Sequence, residues 1–241
     1  MLSQPWNLPL DAFVLERALW ARVLASIVLG RQERVRWHAL KLPERQRIEW
    51  LLGRIAAKDA VREYVRQRSA LTLHPADIEL VPDQLGRPVV RGAWADRGGP
   101  VPLISISHAD GVAVAIAADA DRAGGIGIDL ERVGRINRRI EQLAFTADEQ
   151  ALLDSVAAPQ RDAWALRLWC AKEAAAKTTG EGFAAGVGAF AVEEMDTRSG
   201  GVKIRFSGRD RERQRATVST AQEGEWIVAA CAAAIREGVA T

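Results

Sequence analysis

Two carboxylates close an apolar segment in the middle of the chain. The segment GIGIDLE contains Asp129 and Glu131, which lie two positions apart. On a β-strand these two side chains would point to the same face, while Ile128 and Leu130 turn into the core. Neighbouring carboxylates are costly unless a cation lies between them or one is protonated, and oxygen ligands favour a hard cation such as Mg²⁺. The pattern is compatible with a magnesium site or with a solvated strand end.

A second group of reactive side chains lies on a helix predicted further along the chain. Trp169, Glu173 and Lys177 recur every four positions and would form one stripe, with Lys172 beside it. The small side chains of residues 174–176 would let a ligand or another backbone approach this turn closely. The alternative is an ordinary helix pair of Glu and Lys, which contributes only a few tenths of a kcal/mol.

Basic side chains in the N-terminal half are candidates for phosphate contacts. His108 ends the predicted strand LISISH, and Arg54 and Lys58 lie four positions apart on a long predicted helix. A Gly-Arg-Pro turn presents Arg87 on a constrained backbone. Guanidinium groups match the geometry of phosphate, although each of these side chains could equally be solvated or serve as a cap.

Helices and short strands alternate around these residues. Thr146 and Glu149 form a capping box that opens a short helix ending near Ser155. Apolar periodicity predicts further helices over residues 13–29, 43–68 and 159–177. Strands are predicted over residues 77–80, 88–91, 102–107, 187–195, 202–206, 215–220 and 225–231, with two more on either side of a turn at 119–125. A Gly-rich loop is predicted at residues 92–100.

Each half of the chain therefore offers helices and a few short strands. This pattern predicts an α+β fold built as a pseudo-dimer of two similar halves, each a small, mainly antiparallel sheet packed against helices. We expect an N-terminal half over residues 1–122, with a helical extension at its start, and a C-terminal half over residues 123–241.

Composition and missing motifs exclude several classes of protein. The 241 residues carry a net charge of +2, and 48% of them are hydrophobic, which argues against disorder and against a general nucleic-acid binder. No apolar run approaches the roughly 18 residues of a membrane span, and the N-terminus does not resemble a signal peptide. Two cysteines cannot form a disulfide scaffold, so we expect a cytoplasmic protein. The motifs of serine hydrolases, P-loop proteins, Rossmann folds and zinc sites are absent.

Together, these residues resemble the paired motifs of the 4′-phosphopantetheinyl transferases. GIGIDLE matches the family's Gly-x-Asp motif, and WCAKEAAAK follows after the expected gap and matches its Trp-x-x-Lys-Glu-x-x-x-Lys motif. The Asp-x-Glu variant and the chain length are similar to the Sfp type, a single chain of two similar halves. The segments SISHADG and LGRP also resemble that type, so the resemblance covers residues 45–235.

The resemblance implies a fold, a reaction and roles for individual residues. Such enzymes move the phosphopantetheine arm of coenzyme A, the co-substrate, onto a serine of an acyl or peptidyl carrier protein. By motif, Asp129, Glu131 and Glu173 would hold Mg²⁺, and Glu173 would accept the proton of the serine. Lys177 would bind the pyrophosphate with help from Lys172.

The N-terminal basic residues take roles by looser matching. His108 would bind the 3′-phosphate of coenzyme A, and Arg54, Lys58 and Arg87 would contact phosphate or adenine. Four arginines follow the acidic motif and could meet an acidic carrier protein, with a solvated loop as the alternative: Arg132, Arg135, Arg138 and Arg139. Three apolar residues nearby could instead line a carrier groove: Ile136, Ile140 and Phe145.

Two further expectations concern the context of the chain. The stretch WNLPLDAF, with the helix that follows, resembles transferase domains at the C-termini of some polyketide synthases, so the carrier could lie in cis. Pseudo-duplication would make a monomer sufficient. The rival interpretations are a non-catalytic coenzyme-A-binding domain of a larger synthase and a nucleic-acid-binding arginine-rich helix. Acidic residues interrupt that helix, which counts against the second.

Overall fold

The computed structural model describes residues 14–136, 138–207 and 214–235. The chain divides into two units, Met1–Ala120 and Asp121–Thr241, two residues from the boundary expected from the sequence. The segment WNLPLDAF lies outside the described residues. Within the described ranges, no helix combines the length and the hydropathy that crossing a membrane requires.

Three helices open the N-terminal unit: α1 (Val14–Val28), α2 (Arg31–Ala39) and α3 (Glu44–Arg68). Four strands follow: β1 (Glu79–Pro82), β2 (Pro88–Arg91), β3 (Leu103–Ala109) and β4 (Val112–Ala118). They form two antiparallel hairpins, β1–β2 and β3–β4, rather than one continuous sheet. The long helix α3 packs on the second hairpin, so its apolar face forms the core of this unit.

Two local features of this unit depend on a buried side chain and on positive backbone φ angles. In the segment predicted as a loop, Ala93–Asp96 forms a helical turn, α4, because Trp94 is buried against the core there. Asp110 and Gly111 both have positive φ at the turn between β3 and β4. A two-residue hairpin turn of this kind favours Asp-Gly, and it fixes the end of β3 where His108 lies.

The C-terminal unit consists of one sheet and three helices. Its elements are β5 (Gly125–Arg132), α5 (Arg138–Ala144), α6 (Ala147–Asp154), α7 (Ala158–Thr179), β6 (Phe190–Asp196), β7 (Gly201–Phe206), β8 (Arg215–Glu223) and β9 (Trp226–Ala233). The strands are antiparallel in the order β5-β9-β8-β7-β6, and α7 packs across the sheet. The predicted capping box of α6 is confirmed, and Gly180 ends α7 in the left-handed conformation.

A buried ion pair braces the N-terminal unit. Lys58 on α3 pairs with Glu33 on α2, and its Nζ also donates to the carbonyls of Val28 at 2.8 Å and Pro75 at 3.0 Å. The Glu33 carboxylate accepts the backbone N–H of Leu80 on β1 at 3.1 Å and that of Gly30, before its own helix, at 3.1 Å. One carboxylate thus joins both helices to the first strand.

The C-terminal unit contains the same brace. Lys172 on α7 donates to both oxygens of Glu149 at 2.8 Å and to the carbonyl of Ala144 at 2.9 Å. The Glu149 carboxylate accepts the backbone N–H of Val192 on β6 at 2.7 Å and that of Thr146, the N-cap of its own helix, at 2.8 Å. A short helix, a long helix and the next strand are joined in the same order as before. The matching connectivity supports two similar halves in this α+β fold.

Candidate functional site

Helix α7 lies directly on the backbone of β5, and two glycines of β5 permit this. A Cβ placed on Gly127 would lie 1.8 Å from the carbonyl oxygen of Ala174, and one on Gly125 would lie 2.0 Å from that of Thr178. Neither position can carry a side chain at this distance. At Ala174, the close approach that the sequence left open to a ligand or another backbone is made by the backbone of β5.

This contact brings the acidic end of β5 to the reactive stripe of α7. Lys177 Nζ donates to Asp129 Oδ1 at 2.8 Å and to the carbonyl of Ile128 at 2.8 Å. The Asp129 side chain is only 3% exposed, whereas that of Lys177 is 30% exposed. The predicted convergence of the strand carboxylates with the helix stripe is thus present in the C-terminal unit.

Glu173 carries the strongest electrostatic signal of the site. Burial, which has the largest effect, and the negative charges of Asp129 and Glu131 raise its pKa from 4.5 to about 7, against the opposing effect of Lys177. A hydrogen bond between Glu173 and Asp129 acts in the same direction. A carboxyl with this pKa exchanges a proton near neutral pH, as a general base or acid must.

Cys170, one turn before Glu173, lies beneath the same cluster. Burial, followed by the charges of Asp129 and Glu131, raises the pKa of its thiol well above the ordinary value. Both cysteines of the chain are buried and free. The thiol is therefore protonated and packs as a neutral, buried group next to the carboxylates.

The donor set suits a hard cation in its chemistry. Asp129, Glu131 and Glu173 supply only carboxylate oxygens, the ligands that Mg²⁺ prefers. Among the residues that the structure describes, however, no three His, Cys, Asp or Glu side chains are arranged to coordinate one metal ion. Cationic side chains lie on the same carboxylates: Lys177 on Asp129, and Arg135 at 3.7 Å from Glu131 Oε2.

His108 lies at the end of β3 in the N-terminal unit and is accessible. Its side chain is 45% exposed, and Nδ1 is 3.9 Å from Glu49 Oε2 on α3. Arg45, one turn earlier on α3, donates to Glu49 at 3.2 Å and pairs with Asp110 at the hairpin turn. Arg45 and Glu49 are not among the candidates predicted from the sequence, although their spacing of four positions on a predicted helix was a usable signal.

The other two arginine candidates differ in exposure. Arg87 is 51% exposed, and Asp83 in the same turn holds its Nε at 2.7 Å. Arg54 is only 18% exposed, lies 3.9 Å from Glu33, and stacks its guanidinium 3.3 Å from the ring centroid of Trp50. Burial lowers the pKa of Arg54 to about 10. Arg87 is available to an anion, whereas Arg54 is largely occupied by its own helix surroundings.

Lys58 and Lys172 differ from the expectation that they contact phosphate. Both side chains are 0% exposed, and each ammonium is fully engaged by a carboxylate and backbone carbonyls. Burial lowers the pKa of both. The structure corrects this assignment: the two lysines are the braces of their units, because a buried ammonium with three partners cannot reach a ligand.

Helix α5, which follows the acidic strand β5 in sequence, presents both charged and apolar side chains to solvent. Arg138 and Arg139 are exposed, and Leu143 and Ile140 are 81% and 38% exposed. Phe145, expected to line a carrier groove, is instead in the core at 5% exposure. Two further residues of the expected surface have partners: Arg132 pairs with Glu225 at 2.7 Å, and Ile136 packs against the core.

Comparisons with known proteins show which family this chain belongs to. The model of the 4′-phosphopantetheinyl transferase superfamily matches residues 125–231, which include both motifs. The 4′-phosphopantetheinyl transferase psf-1 of Bacillus pumilus is 31% identical over 58% of this chain and 53% of its own length. The 4′-phosphopantetheinyl transferase HetI of Nostoc sp. is 30% identical over 74% of this chain and 69% of its own.

The chain therefore spans about half the length of psf-1 and about two thirds of HetI. A crystal structure of a holo-(acyl-carrier-protein) synthase from Bacillus anthracis, in complex with coenzyme A (3′,5′-ADP), is similar over 47% of this chain and 97% of that one, with 20% identity and a TM-score of 0.39. With its carboxylates and lysine on β5 and α7 at the matched motifs, the chain belongs to the 4′-phosphopantetheinyl transferase superfamily.

Proposed function

We propose that this protein transfers the 4′-phosphopantetheine group of coenzyme A to a serine of an apo carrier protein. The observation that carries the proposal is the raised pKa of Glu173. This carboxyl has a pKa of about 7 and interacts electrostatically with Asp129 and Lys177. A neutral-pH proton acceptor next to a cationic group is what a hydroxyl nucleophile attacking a pyrophosphate requires.

In the proposed reaction the serine oxygen attacks the phosphorus that carries the pantetheine arm. The bond from this phosphorus to the bridging oxygen breaks, and 3′,5′-ADP leaves with the electron pair. Glu173 accepts the serine proton, directly or through water, and Lys177 stabilises the pyrophosphate oxygens. Asp129, Glu131 and Glu173 would hold Mg²⁺, which when bound would neutralise charge on the phosphates.

Coenzyme A is the proposed co-substrate, and exposed basic groups of the N-terminal unit support the proposed contacts. His108 is assigned to the 3′-phosphate because its imidazole is exposed at the end of β3. Arg87 is assigned to a phosphate or to adenine because it stands exposed on a turn. Arg54 is only 18% exposed and has less surface to offer a phosphate. Lys58 and Lys172 are not assigned to coenzyme A because both are buried.

The carrier protein is proposed to dock on α5 and the loop before it. Arg138 and Arg139 supply positive charge, and Leu143 and Ile140 supply exposed apolar area beside that charge. An acidic, amphipathic helix next to the modified serine would complement both features. We also propose a cytoplasmic monomer, which is consistent with two free, buried thiols, and leave a carrier in cis as the alternative to a separate protein.

The test is transfer to an apo carrier protein, followed by intact mass spectrometry. With coenzyme A and Mg²⁺, we expect the carrier to gain the mass of one phosphopantetheine group. The gain should disappear in EDTA and in Glu173→Gln. A matched control is Glu181→Gln, an exposed carboxylate after the end of α7, which should leave transfer intact.

The outcomes separate the proposed enzyme from its rival. No gain on several acyl and peptidyl carriers, with coenzyme A still bound in calorimetry, would favour a non-catalytic coenzyme-A-binding domain. A gain that persists at full rate in EDTA would refute the metal assignment. A gain that persists at full rate in Glu173→Gln would refute the assignment of the proton acceptor.

A further inference from the structure

The ammonium of Lys177 contacts the acidic cluster, although its side chain is 30% exposed. Its Nζ contacts Asp129 Oδ1 and the carbonyl of Ile128, each at 2.8 Å. A Cβ on Gly127 would lie only 3.1 Å from the Cβ of Lys177, so the side chain begins directly over the strand. The side chain of Lys177 therefore starts over β5 at its Cβ and ends at Asp129 with its ammonium.

The same carboxylate would serve two cations in the proposed reaction. Asp129 is a proposed metal ligand, and its Oδ1 is occupied by Lys177 in this structure. A divalent ion bound at that oxygen would lie within a few ångströms of the ammonium, and like charges at such distances repel strongly.

We propose that Lys177 is a resident counter-cation of the metal site, and that its ammonium must leave Asp129 before a divalent ion binds fully. This inference rests on the proposed function, because the pyrophosphate of coenzyme A is the anion that would draw the ammonium away. The lysine side chain can make this exchange because it is long and flexible, with three donors and a compact charge.

The exchange couples the metal to coenzyme A. Without coenzyme A, the metal competes with Lys177 and binds weakly. With coenzyme A, the ammonium has a new partner, Asp129 is released, and the metal binds more tightly. By thermodynamic reciprocity, the metal must raise the affinity for coenzyme A by the same factor.

The test measures Mn²⁺ binding by the loss of the free-ion signal in electron paramagnetic resonance, without a carrier protein. In the absence of coenzyme A, we expect Lys177→Met to bind Mn²⁺ at least about tenfold more tightly than the wild type, because one positive charge beside the ion is removed. The matched control is Lys203→Met. It removes an exposed lysine of β7 that pairs with the exposed Glu194 of β6, and it should leave Mn²⁺ affinity unchanged.

The second part of the test repeats the Mn²⁺ titration in the presence of coenzyme A. Coenzyme A should tighten Mn²⁺ binding in the wild type and do so much less in Lys177→Met, where no ammonium has to move. Lys177→Gln, which keeps a hydrogen-bond donor for Asp129, is the substitute if the methionine variant unfolds, and thermal denaturation with and without Mn²⁺ checks its folding. Tighter Mn²⁺ binding by this variant would support the same conclusion.

Two results would overturn the inference. One is Mn²⁺ binding in Lys177→Met that is equal to or weaker than in the wild type. The other is equal tightening by coenzyme A in both proteins. Failure of coenzyme A to bind either protein would count against the proposed function instead, and the comparison without coenzyme A would still decide the role of Lys177.

Discussion

Gly127→Ala tests how the strand and the helix position the site. The new Cβ would lie 1.8 Å from the carbonyl oxygen of Ala174, whereas ordinary contact begins at 3.4 Å, so α7 and β5 must separate by about 1.6 Å. Overpacking on this scale costs about 3 kcal/mol of unfolding free energy. The same shift would lengthen the 2.8 Å contact between Lys177 and Asp129 beyond hydrogen-bonding distance.

We expect two measurable losses from this change. Urea denaturation followed by circular dichroism should show a free energy of unfolding lower by about 3 kcal/mol. The kcat for release of 3′,5′-ADP should fall about a hundredfold or more, because a displacement of about 1 Å at a reacting centre has that effect. The matched control is Gly188→Ala, since a Cβ there would meet nothing within 4 Å.

The two measurements can refute the reasoning separately. Wild-type stability in Gly127→Ala would mean that the helix does not rest on the strand at this residue. Lower stability with an unchanged kcat would mean that the close contact serves folding and does not position the carboxylates. A Gly188→Ala variant that loses as much as Gly127→Ala would show that the effect is not specific to this contact.

Three further predictions address protonation, the braces and coenzyme A. Because the pKa of Glu173 is raised from an ordinary 4.5 to about 7, the native state keeps a proton that the unfolded state releases, so metal-free stability should fall by about 3 kcal/mol as pH rises between these values. Urea titrations in EDTA should show this fall in the wild type and not in Glu173→Gln; parallel profiles would contradict the raised pKa. Glu149→Gln and Lys172→Met should each cost about 4 kcal/mol by leaving a buried charge unpaired, measured by urea denaturation, and the double variant should cost less than their sum. An additive double variant would argue against the pair as a brace. His108→Ala should raise the KM for coenzyme A about tenfold without changing that for dephospho-coenzyme A, which lacks the 3′-phosphate; equal effects on both would reject the contact.

The local patterns of this protein follow from its amino-acid sequence alone. Alternation along β5 predicts that Asp129 and Glu131 share a face, and helical spacing predicts the stripe of Glu173 and Lys177. The capping box at Thr146 predicts where α6 begins. These features depend on residues within a few positions of one another, and the family motifs combine them in one order.

The burial of each side chain and the groups that it contacts depend on tertiary packing. Helical spacing assigns Lys58 and Lys172 to a face, but their partners Glu33 and Glu149 are 25 and 23 positions away, so the sequence could not show that both ammonium groups are buried. Likewise, the glycine of the Gly-x-Asp motif is explained by the carbonyl of Ala174 on another element. Burial and close approach depend on packing between elements distant in sequence, and local periodicity carries no information about that packing.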